Sequence, residues 1–95
     1  MKMAPAGEWT IDFDPQAKAV RVSLMRVGAA PLVVEMKASD AQRYALEQIR
    51  LVRAAPGPFR FRLGNSPELT VSTDQALIFF NQLIETARKA RDGIN

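Results

Sequence analysis

The sequence predicts an α+β domain: a five-stranded, mainly antiparallel sheet with two helices packed on one face, in the order β-β-β-α-β-β-α. Three observations predict it. Five short stretches alternate apolar and polar residues with period two, the mark of half-buried strands. Two longer stretches, opening at Ser39 and Thr73, carry apolar residues at helical spacing. Clusters of Gly, Pro, Asn and Asp separate them, and these residues end regular structure.

Each element has its own justification. Met1–Gly7 carries Pro5 and Gly7 without periodicity and reads as a flexible arm before a single domain over 8–95. In Glu8–Asp14, Trp9, Ile11 and Phe13 share one face while Thr10, Asp12 and Asp14 share the other. Asp14-Pro15-Gln16-Ala17 is a turn, because proline pre-sets the backbone and an Asp side chain can bond amides just ahead. Lys18 to Val27 follows as the antiparallel partner strand. After Gly28-Ala29-Ala30-Pro31, Leu32 to Lys37 alternates again, with Leu32, Val34 and Met36 on one face. Ser39 and Gln42 form a capping-box pattern for a helix reaching Ala54, where Ala55-Pro56-Gly57-Pro58 stops it. Phe59 to Leu63 places Phe59, Phe61 and Leu63 inward and Arg60 and Arg62 outward. Glu68 to Ser72 returns with Leu69 and Val71 inward. Thr73 caps the second helix and Gly93 ends it.

Two segments resemble each other within the chain. Arg26-Val27-Gly28-Ala29-Ala30-Pro31, a strand and Ser39-Asp40 match Arg62-Leu63-Gly64-Asn65-Ser66-Pro67, a strand and Thr73-Asp74. The match reads either as a duplicated strand-turn-strand-helix unit or as the same turn residues recruited twice.

The second helix is the main core helix. Ala76, Phe79, Phe80, Leu83, Ile84 and Ala87 form one broad face, with Leu77 at its margin and Ile78 projecting among polar residues. The first helix has a narrower inward stripe of Ala41, Ala45, Ile49 and Val52. Tyr44 and Leu51, seven residues apart, add a second apolar strip. A chain of 95 residues buries a limited core, so packing against a second copy would stabilise it. Tyr44, Leu51 and Ile78 are therefore the expected interface of a homodimer, with another protein as the next candidate partner.

Composition excludes several chemistries. With no Cys and no His there is no disulfide, thiolate zinc site, cysteine nucleophile or His-based triad. No glycine belongs to a phosphate-cradling motif. Asp12 and Asp14 share a strand face, but a hard cation needs more oxygen ligands than one such pair supplies. A metal-dependent hydrolase is thus the weakest reading, and a non-enzymatic domain without cofactor is expected. No apolar run approaches the roughly 20 residues of a membrane span, and a cytoplasmic location is expected.

The remaining functional signal is basic. Thirteen Lys and Arg against ten Asp and Glu give a charge of +3. Arg60 and Arg62 project from the open side of the predicted sheet, with Arg21 and Arg26 on another strand and Arg43 and Arg50 on the first helix. These six are the candidate contacts for single-stranded DNA or RNA, the alternative function. Trp9, Phe13, Phe59 and Phe61 all fall on the core side, which leaves no aromatic platform for stacking bases.

Overall fold

The seven predicted elements form in the predicted order, but the strands divide between two sheets. The computed structural model describes residues 9–25, 30–55, 57–64 and 68–92. Its elements are β1 (Trp9–Asp14), β2 (Ala19–Leu24), β3 (Leu32–Lys37), α1 (Ala38–Ala54), β4 (Phe59–Phe61), β5 (Leu69–Val71) and α2 (Thr73–Asp92). The arm Met1–Gly7, Arg26, Gly28 and Gly93 lie outside the described residues.

Strands β1, β2 and β3 make an antiparallel meander with β2 in the middle. Its rows are set by register, Trp9–Leu24–Leu32, Ile11–Val22–Val34 and Phe13–Val20–Met36 on the helix side. The central Val20, Val22 and Leu24 are buried, whereas the edge residues of β1 and β3 are half-covered. The Asp14 carboxylate accepts hydrogen bonds from the Gln16 and Ala17 amides at 3.0 and 3.3 Å, as the turn reading expects. Lys18 closes this turn in the left-handed region at φ +53°. Its carbonyl accepts the Ala38 amide at 2.9 Å.

That bond corrects the start of α1. The helix begins at Ala38, and no side chain caps it. The β2–β3 ladder instead runs straight into the first helical residue, whose amide a backbone carbonyl takes, and Ser39 falls inside the first turn. The start of α2 is corrected as well. Ser72, not Thr73, caps it, its hydroxyl accepting from the Gln75 amide at 3.2 Å. Thr73 donates its hydroxyl to the Gly57 carbonyl at 2.8 Å, tying the helix to the segment after α1.

Both helices lie on the meander, α2 against β1 and β2, α1 against β3 and β2. They touch along alanine-rich stripes: Ala38, Ala41 and Ala45 are buried on α1, as are Ala76, Ala87 and Ala90 on α2. Small side chains let two helices approach closely. Arg91 at the end of α2 donates to the Gln42 side chain near the start of α1 at 2.9 Å.

Strands β4 and β5 form a separate two-stranded sheet, which corrects the single five-stranded sheet. Only three residue pairs join them, so their ladder has little to offer a six-residue neighbour. Aromatic packing sets their position instead. Phe61 lies 5.7 Å from Phe79 and 5.1 Å from Phe80 between ring centroids, and Phe59 meets Phe80 edge-on at 6.1 Å. Beyond Leu63 the chain turns at Gly64, whose φ of +59° a side chain would strain. Gly64 packs beside β3: a Cβ there would stand 3.5 Å from a Val34 methyl.

The internal resemblance takes a definite form. Leu24 pairs with Leu32 and Phe61 with Leu69, so both hairpins span a seven-residue connection, 25–31 and 62–68. Each hairpin is followed by a helix, at Ala38 and Thr73. Equivalent residues are displaced by one from the textual match: Leu24 corresponds to Phe61 and Ala38 to Thr73. A one-residue shift exchanges the faces of a strand, so the textual match does not align residues that share a face.

Candidate functional site

The flank formed by β1 and α2 gathers the most side chains of functional interest. Period two puts Trp9, Ile11 and Phe13 toward the helices at the rim of the meander. Trp9 meets Phe79 edge-on at 5.0 Å and donates its indole N–H to the Gln82 side chain at 2.8 Å. A cleft of about 290 Å³ follows, lined by Trp9, Ile11, Gln82, Glu85, Thr86 and Lys89. Ile78 lies one turn before Gln82, about 40° around the helix. It is 54% exposed, as its place among polar residues predicts. Among the described residues β1 has no strand on its outer side.

The three expected interface residues do not share one surface. Tyr44 turns inward: its ring meets Phe80 edge-on at 6.0 Å, and its hydroxyl donates to the Arg62 carbonyl. Burial, with the Glu47 carboxylate adding to it, pushes the Tyr44 phenol up from 10.0 to about 12. Leu51 is exposed. It projects about 180° from Gln42, the α1 residue bonded to α2. Leu51 and Ile78 therefore stand on opposite margins of the helical layer.

The arginines are dispersed too. Arg21 sits in the middle of the open sheet face, with Asp12 opposite on β1 and Glu35 opposite on β3. It bonds Glu35 at 3.4 Å. Arg43 bonds Asp40 at 2.9 Å, on the exposed side of α1 with Arg50. Arg60 is exposed opposite Thr70 on the second hairpin, and Arg62 is exposed just beyond it. The candidate contacts thus occupy the meander face, the α1 surface and the second hairpin. The open meander face is no basic patch, since Asp12, Asp14 and Glu35 outnumber Arg21 and Lys37 on it.

Sequence reasoning passed over three exposed apolar residues. Leu46 stands among Arg43, Glu47 and Arg50 on α1, the same signal that singled out Ile78. Val33 and Met25 are exposed at one end of the open sheet face, where Val33 lies opposite Ser23. Their parity, shared with Glu35 and Ser23 respectively, was the available clue.

Two smaller clefts lie elsewhere among the described residues. One of about 210 Å³ on the open face is lined by Asp12, Asp14, Arg21 and Glu35 among others. Another of about 180 Å³ lies between β3, Tyr44, Leu63 and Gly64. Among the described residues no group of three acidic side chains converges as a metal site would require, and no helix is long and apolar enough to cross a membrane. No protein-family model, no curated protein and no solved structure matches the chain.

Proposed function

We propose that this chain is a non-enzymatic interaction module that works as a homodimer. The observation that carries the reading is the row Trp9, Ile11 and Phe13, half-covered on an edge strand that has no strand on its outer side among the described residues. Native proteins blunt exposed edges with charged side chains, proline, bulges or a covering segment. Strand β1 contains no proline, its register with β2 runs without a bulge, and its charges, Asp12 and Asp14, both lie on the open face away from the helices. A partner that covers it removes apolar surface from water and satisfies backbone groups together.

A catalytic reading draws less support. The Asp14 carboxylate is committed to its own turn, and Asp12 faces Arg21 across the strand pair. Nucleic-acid binding draws less as well, because Arg21 stands between two carboxylates and the other arginines are scattered. Sedimentation velocity from about 1 to about 200 µM tests the homodimer, a range that detects dissociation constants up to the high micromolar. The sedimentation coefficient should rise with concentration to that of a dimer. A monomer at every concentration defeats the reading.

A further inference from the structure

We draw no further inference here: the strongest candidate, the cleft between β1 and α2 lined by Trp9, Ile11, Gln82, Glu85, Thr86 and Lys89, belongs to the flank already described, and nothing in the structure shows what covers it.

Discussion

Tyr44 shows how one residue acquires a role that spacing does not reveal. Seven residues from Leu51, it reads as half of an exposed strip, yet its hydroxyl reaches the Arg62 carbonyl and its ring packs on Phe80. Burial favours the neutral phenol, so its pKa rises to about 12 in the folded chain, against 10.0 for a solvated phenol. The stabilisation from keeping this phenol neutral is complete below pH 10. It is lost as pH rises from 10 toward 12, because there the unfolded chain gives up the proton first. Tyr44 is the only tyrosine, so phenolate absorbance reports it alone. The folded protein should titrate near 12, and Tyr44→Phe should remove part of the alkaline fall in melting temperature. A midpoint near 10 in the folded state would place the phenol in water. At neutral pH the same substitution should cost about 1 kcal/mol, the net worth of one hydrogen bond.

At the scale of elements, caps distinguish two helices whose starts look alike in sequence. Ser39-Asp40 and Thr73-Asp74 both read as helix openings, but α1 begins two residues, and α2 one residue, before the first turn that a Ser39 or Thr73 cap would open. The β2–β3 ladder carries the chain into helix at Ala38, so Ser39 lies inside the first turn and its hydroxyl has no capping task. Strand β5 ends at Val71, which leaves Ser72 between strand and helix, where its hydroxyl caps the Gln75 amide. Ser72→Ala should therefore destabilise the protein by about 1 kcal/mol, and Ser39→Ala by less than about 0.5 kcal/mol. Urea unfolding of the two variants checks the contrast; equal losses would defeat it. The exposed ion pairs Arg21–Glu35 and Arg43–Asp40 belong at this scale too. Both are solvated, so they orient side chains more than they stabilise the fold.

For the whole molecule, the distribution of charge bears on partners. Basic residues outnumber acidic ones by three, but carboxylates are interspersed on the meander face and on α1. Anisotropy of labelled single-stranded DNA or RNA should thus show no micromolar binding at ~50 mM salt. Binding that does appear and falls steeply by ~200 mM salt would demonstrate phosphate contacts and promote Arg60 and Arg62.

Periodicity made most of the elements legible. Trp9-Ile11-Phe13, Leu32-Val34-Met36 and the α2 stripe from Ala76 to Ala87 were readable because alternation and helical spacing are local consequences of which face is buried. Ile78 was readable for the same reason, as an apolar residue on a polar face. Three matters lay beyond local pattern. The second hairpin left the main sheet because Phe59 and Phe61 were drawn to Phe79 and Phe80, a contact between distant parts of the chain. Arg21 was taken out of the basic set by Asp12 and Glu35, whose neighbourhood depends on strand register. Tyr44 was turned inward by a carbonyl 18 residues ahead. Sequence by itself determined the elements, their order and their buried faces, since each follows from the backbone geometry of a few adjacent residues. Only the tertiary structure decided how the sheets divide and which side chains meet, because long-range packing and register are set by the chain as a whole.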